Sequence, residues 1–81
     1  SGLISNRYRF MNKYVSYRNF TIRIKLLNAE KREYHIEVFP IDKGPSIWGN
    51  DFGKPNNLIR KYKKRIDRYW KKPEGERKFL D

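Results

Sequence analysis

The feature that most constrains this chain is an amphipathic segment near its C-terminus, Pro55–Pro73, with the sequence PNNLIRKYKKRIDRYWKKP. At about 100° per residue, its apolar side chains fall within an arc of roughly 120°. Those side chains are Leu58, Ile59, Tyr62, Ile66, Tyr69 and Trp70. Pro55 suits a first helical turn, and Pro73 cannot continue a helix. The segment therefore predicts one helix near 56–72, with one face buried against the rest of the domain.

The opposite side of this predicted helix is rich in cations. Residues 54–72 hold nine Lys or Arg against Asp67 alone, which gives +8 of the net charge of +11 for the whole chain. Like charges on one helical face repel one another, so we expect a polyanionic partner, usually nucleic acid or an anionic membrane. A solvated face that reflects only a Lys-rich composition is the alternative. The candidate nucleic-acid contacts are Arg60, Lys61, Lys64, Arg65, Arg68, Lys71 and Lys72.

Alternating apolar residues predict strands upstream of the helix. In Phe20–Leu27 the apolar residues alternate with polar ones, so one side is predicted to face inward: Phe20, Ile22, Ile24 and Leu26. A polar turn separates this run from a second, Glu33–Phe39. A third, short strand is predicted near 46–49, and Gly49–Gly53 is interpreted as a flexible connection to the helix. Packing the helix across this three-stranded antiparallel sheet buries both amphipathic surfaces. The predicted class is therefore α+β. Because most aromatic rings are needed to fill the core of so small a domain, we expect Trp48 to pack between sheet and helix. A platform on which bases stack is the alternative for this ring.

The ends of the chain carry weaker signals. Residues 3–17 fit either a helical face or a strand, and a lack of good helix formers favours an extended segment. We divide the chain into an N-terminal extension (1–19), a folded module (20–72) and a C-terminal tail (73–81). The opening Ser-Gly is typical of a cloning remnant, so we expect a domain cut from a larger protein.

The composition argues against several classes of function. With no Cys and one His, the chain lacks the ligands of a structural zinc site. No nucleophile has a base at a spacing that indicates catalysis, so we expect no enzymatic activity, cofactor or metal. No apolar run is long enough to span a bilayer.

A set of motifs with fixed spacing runs through the middle of the chain. It comprises Leu26-Leu27-Asn28, the strand Glu33–Val38 (EYHIEV), Ile47-Trp48-Gly49, and Leu58-Ile59 followed by Tyr62. In this order and spacing the motifs resemble a chromodomain. Residues 14–72 are most similar to the second chromodomain of chromodomain-helicase chromatin remodellers. The resemblance implies a three-stranded sheet with a C-terminal helix, a nuclear location and a parent protein that remodels chromatin.

The resemblance also implies a methyl-lysine cage, which this sequence lacks. Chromodomains that bind methyl-lysine enclose the ammonium group in aromatic rings through cation–π attraction. The matching positions here are Phe20, Val38 and Ile41, and two of these side chains are aliphatic. We therefore expect a degenerate cage, with no strong preference for trimethylated over unmodified lysine.

Together these patterns predict a chromatin-associated binding module that contacts DNA or a nucleosome through the basic helix face, with RNA also possible. The alternative is a protein-interaction module, which would bind a histone tail or other peptide in a sheet-edge groove, or dock onto a sister chromodomain. The nucleic-acid and protein-interaction hypotheses predict different positions for Arg7, Arg9 and Arg18. Arginines that extend the positive helix face favour nucleic acid, whereas arginines that rim a groove favour a peptide.

Overall fold

The computed structural model describes residues 12–80, which form a four-stranded antiparallel sheet with a helix across one face. The elements are β1 (Lys13–Tyr17), β2 (Phe20–Asn28), β3 (Glu33–Pro40), β4 (Ile47–Phe52) and α1 (Pro55–Lys71), followed by a 3₁₀ turn (Glu74–Glu76). The strands lie in sequence order across the sheet. The predicted α+β class is confirmed, but the sheet has four strands rather than the predicted three.

The additional strand is β1, which lies within the segment that the sequence left ambiguous. It pairs with β2 from Lys13 opposite Ile24 to Tyr17 opposite Phe20. The connecting residues, Arg18 and Asn19, both have positive φ, at 45° and 70°. Two consecutive positive φ values are the mark of a type I′ turn, whose twist matches that of a β-hairpin. The extended interpretation is thus confirmed for 13–17, while residues 1–11 lie outside the described part of the chain.

The last strand, β4, is longer than predicted. The interpretation of Gly49–Gly53 as a flexible connection is wrong, because Gly49 to Phe52 continue the ladder with β3. Gly, Asn and Asp are poor strand formers, yet pairing with a neighbouring strand outweighs intrinsic propensity. The strand ends before Gly53, whose φ of 134° suits glycine.

The core lies between the sheet and α1. It contains every second residue of β2 and β3, one face of the helix, and one residue of the tail. The buried residues are Phe20, Ile22, Ile24, Tyr34, Ile36, Val38, Leu58, Tyr62, Ile66, Tyr69 and Leu80. This arrangement confirms the alternation predicted for both strands and the helix bounds to within one residue. Leu26 and Ile59, also predicted to face inward, are half-buried against the same core.

The prediction that Trp48 packs between sheet and helix is wrong. Its side chain is 79% exposed. The pleat of β4 turns Ile47 and Gly49 towards the helix, whereas Trp48 pairs with Glu37 on the other face of the sheet. The register of β4 therefore directs this large ring away from the core.

The two aromatic residues near the helix end pack inward. Tyr69 is buried, and its ring meets that of Phe20 edge-on at 5.3 Å between centroids. Trp70 is half-buried, and its indole N–H donates a hydrogen bond to the carbonyl oxygen of Arg18 at 2.8 Å. The guanidinium of Arg77 lies 5.0 Å from the centroid of the Trp70 ring. These contacts fasten the helix end to the β1–β2 turn and to the tail.

Candidate nucleic-acid interface

The buried stripe of α1 fixes the direction of its cations. Because Leu58, Tyr62 and Ile66 face the sheet, the side chains about half a turn away face solvent. Six of the seven candidate contacts lie on α1, and Lys72 directly follows it. Arg60, Lys61, Lys64, Arg68 and Lys71 are exposed, while Arg65 and Lys72 are partly buried.

Five of these cations line a shallow depression along the helix surface. Its volume is about 320 Å³, and its lining residues are Asn57, Arg60, Lys61, Lys64, Arg65 and Arg68. Lys and Arg side chains carry only hydrogen-bond donors. The five cations therefore make the depression suited to anionic oxygens.

Lys61 differs from its neighbours because it is part of a network with β4. Its Nζ lies 2.7 Å from Oδ2 of Asp51, and the Tyr62 hydroxyl donates to the same oxygen at 3.0 Å. The backbone N–H of Phe52 donates to the other carboxylate oxygen at 2.8 Å. Asp51 thus offsets the charge of Lys61 and ties the helix to the sheet.

This network shifts the pKa of the Asp51 carboxyl and that of the Tyr62 hydroxyl. Burial alone would raise the pKa of Asp51, but the hydrogen bonds from Lys61, Phe52 and Tyr62 together outweigh burial, and the pKa falls below its usual value. Burial and the adjacent Asp51 carboxylate raise the pKa of the Tyr62 hydroxyl. Asp51 therefore stays ionised, and Tyr62 stays neutral, at physiological pH.

The one acidic residue of the helix, Asp67, lies on the flank of α1 next to β1. Its Oδ1 accepts hydrogen bonds from the Tyr17 hydroxyl and from Nη1 of Arg18, each at 2.9 Å. These bonds hold the pKa of the carboxyl below its ordinary value. Arg18 thus lies beside the helix, where it offsets the single negative charge. Arg7 and Arg9, the other two arginines expected to discriminate between partners, lie outside the described residues.

Positive charge continues at the N-terminal end of the helix, beyond the residues singled out from sequence. Lys13 of β1, Lys54 and Arg60 line a second surface depression of about 530 Å³. The first turn of α1 holds no acidic residue, so the positive end of the helix dipole is not offset there. Lys54 directly precedes Pro55, a sequence signal that places it at the cap. The sequence alone could not place Lys13 next to this end of the helix, because that requires knowing that β1 joins the sheet.

The degenerate cage positions do not meet at a surface. Phe20 and Val38 are each 1% exposed and belong to the core, whereas Ile41 is 61% exposed after the end of β3. The backbone N–H of Ile41 donates to the carbonyl of Asn19 at 2.9 Å. These three side chains therefore form no accessible pocket for an ammonium group.

Comparison with protein-family models, with curated proteins and with solved structures finds no match. The chromodomain resemblance therefore stays a prediction. Within residues 12–80, no helix has the length and apolar character needed to cross a membrane. Over the same residues, no group of three or more His, Asp or Glu side chains could hold a metal ion.

Proposed function

We propose that this domain binds nucleic acid, with duplex DNA favoured, through the exposed basic face of α1. The observation that carries the proposal is the separation of charge on the helix. Arg60 and Lys64 are exposed, whereas Lys61 is paired with Asp51 of β4. The single helix carboxylate, Asp67, lies on the flank and is already bonded to Arg18.

The mechanism is neutralisation of phosphates. Each Lys or Arg that contacts a phosphate releases condensed counterions, so affinity falls steeply as salt rises. Arg60 and Lys71 lie about 16 Å apart along the helix axis at 1.5 Å per residue, a distance that spans several phosphates of a duplex. Such contacts position a protein on DNA without reading its bases, so binding has little sequence preference. RNA competes, because phosphate neutralisation alone does not separate the two.

The wider context comes from the resemblance of residues 14–72 to a chromodomain. In the proposed setting the domain is nuclear, belongs to a larger chromatin-remodelling protein, and helps to hold that protein on DNA or nucleosomes. A methyl-lysine peptide is not part of the proposal, because Phe20 and Val38 lie in the core.

We prefer nucleic acid to a peptide in a sheet-edge groove because the gap beside the sheet is too small for a peptide. The gap between β4 and α1, lined by Ile36, Ile47, Trp48, Gly49, Tyr62 and Arg65, has a volume of about 60 Å³. This is the space of about two waters, whereas a bound peptide needs pockets for several side chains. The basic face of the helix is far more extensive.

The test is fluorescence anisotropy of a labelled duplex across a salt series. Wild type is expected to bind in the micromolar range at low salt. Arg60→Glu with Lys64→Glu should weaken binding and reduce the magnitude of the salt slope by about 2, since each lost contact removes about 0.9. Lys61 is left intact because a second carboxylate beside Asp51 would disturb the fold.

A matched control separates a local contact from net charge. Lys43→Glu with Lys78→Glu makes the same change in net charge at exposed positions away from the helix. This variant should keep the wild-type slope. Absence of wild-type binding at low salt, or equal losses in the two variants, would overturn the proposal. The protein-interaction alternative would then take its place.

A further inference from the structure

The outer face of the sheet, the face directed away from α1, carries large aromatic side chains in solvent. Tyr14 on β1 is 62% exposed, Trp48 on β4 is 79% exposed, and Phe52 on β4 is 58% exposed. The solvated face of an antiparallel sheet is normally polar. The outer face departs from this pattern at three positions, and the helix-based proposal leaves its three rings unexplained.

Strand register spreads these rings over the face. Tyr14 pairs with Arg23, Arg23 with Glu37, and Glu37 with Trp48, so one row across all four strands begins and ends in an aromatic ring. At about 4.8 Å per strand, the two rings are roughly 14 Å apart. Phe52 lies four residues along β4 from Trp48, about 13 Å away. The three rings are therefore separate from one another, and the guanidinium of Arg23 lies 5.9 Å from the centroid of the Tyr14 ring.

The groups between the rings offer hydrogen bonds of both kinds. His35 lies beside Trp48, with ring centroids 6.3 Å apart, and its Nδ1 is 3.1 Å from Oδ1 of Asn50. Asn50 in turn donates to Glu33 at 3.5 Å. The other ring nitrogen of His35 lies 3.3 Å from Glu37, so both nitrogens already have partners. The exposed amide of Asn50 keeps a second N–H and a second lone pair, which suit the edge of a base whose plane stacks on the ring.

The charges of the strand residues on the outer face cancel, because Arg23 and Lys25 are matched by Glu33 and Glu37. Nη1 of Arg23 donates to Oε1 of Glu37 at 3.0 Å, so this carboxylate is already offset. Lys25, exposed on the same face, adds a cation two residues further along β2. The net charge of +11 on the chain also attracts any nucleic acid from a distance.

We propose that the outer sheet face binds unpaired bases of single-stranded nucleic acid, with Trp48 as the principal stacking ring and Tyr14 and Phe52 as flanking rings. Every base has a stacking face, so such a platform tolerates many sequences. This site is distinct from the basic helix face, because the two lie on opposite sides of the sheet.

A protein partner fits this face less well. The centre of a protein–protein interface is depleted in charged residues, whereas the centre of this face is the ion pair of Arg23 and Glu37. A second copy of the chain would also bring together two molecules that each carry +11.

The experiment compares two labelled strands of equal length by anisotropy: oligothymidine, and the same strand with abasic sites throughout. Both carry the same phosphates, so the ratio of their affinities isolates stacking. Wild type should prefer the strand with bases. Trp48→Ala should reduce affinity for oligothymidine about fivefold or more, the loss expected for one stacked base. It should leave binding of the abasic strand unchanged.

Two controls make the result specific. Phe79→Ala removes another exposed ring, at 69%, from the tail, and it should leave the ratio unchanged. Arg60→Glu with Lys64→Glu should weaken binding of both strands without changing their ratio, which separates this site from the helix face.

Equal wild-type affinity for the two strands, or wild-type binding by Trp48→Ala, would overturn the proposal. A wild-type dimer in sedimentation that Trp48→Ala converts to a monomer would also overturn it. That last result would assign the face to self-association.

Discussion

The two faces of the sheet are made from the same strands but differ in what they do with large side chains. The inner face places Phe20, Ile22 and Ile24 of β2 against the helix, each at 1% exposure. The outer face leaves Trp48 and Phe52 exposed, at 79% and 58%, and no element of residues 12–80 packs over it. Burial of a ring thus depends on which side of the strand it occupies, and only one side of this sheet has a partner within the described residues.

The largest expected difference between the two faces is in packing energy. Ile66→Ala should lower the free energy of unfolding by about 2–5 kcal/mol, because the residue is 0% exposed and its loss leaves a cavity. Ile41→Ala removes the same atoms at 61% exposure and should change stability by no more than about 0.5 kcal/mol. Chemical denaturation of both variants measures the contrast, and similar losses would contradict it.

A smaller effect is expected where the helix meets β4. Asp51→Ala should destabilise the domain by about 1–2 kcal/mol, because it leaves the Tyr62 hydroxyl and Lys61 without their acceptor. Asp42→Ala, at an exposed position after β3, is the matched control. If both variants unfold at the same denaturant concentration as wild type, the Asp51 network contributes nothing to docking of the helix.

The same network predicts a dependence of stability on pH. Since the pKa of Asp51 is lower in the folded protein than its usual value of 3.8, its ionised form stabilises the fold. That contribution is complete above about pH 4 and is lost as the pH falls through the lower, folded-state value. Denaturation of wild type and Asp51→Asn from pH 6 to pH 2 should give curves that converge at the acid end. A constant gap would contradict this linkage.

The smallest expected effect belongs to the largest side chain. Trp48→Ala should change the free energy of unfolding by no more than about 0.5 kcal/mol, since the ring is 79% exposed. Thermal denaturation followed by circular dichroism provides the measurement. A loss of several kcal/mol would mean that the ring is buried, as the sequence alone suggested.

The parts of the fold that sequence predicted are those with strong periodicity. Alternation in β2 identified Phe20, Ile22 and Ile24 as interior, and helical spacing identified Leu58, Tyr62 and Ile66. Periodicity shows which residues share a face, but it does not show which face is covered. For Trp48 the expected direction, between sheet and helix, was wrong.

Short or glycine-containing strands were harder to predict, because their pairing comes from neighbours. β1 has five residues, and β4 contains Gly49, Asn50 and Asp51, so neither carries a strong local signal. The seven cations of the candidate interface were identifiable from helical spacing. Their pairing with Asp51 was not, since it requires knowing that β4 extends to Phe52.

The order of strands across the sheet also has a consequence for how the chain folds. Each strand pairs with its sequence neighbour, so every ladder can form as a hairpin with little loop-closure entropy, on a timescale of about 1–10 μs. The bonds between the helix and β1 are different. Arg18 and Asp67 are 49 residues apart, so their meeting closes most of the described chain in one step. Docking of the helix is therefore the event expected to limit the folding rate, with the hairpins formed before it.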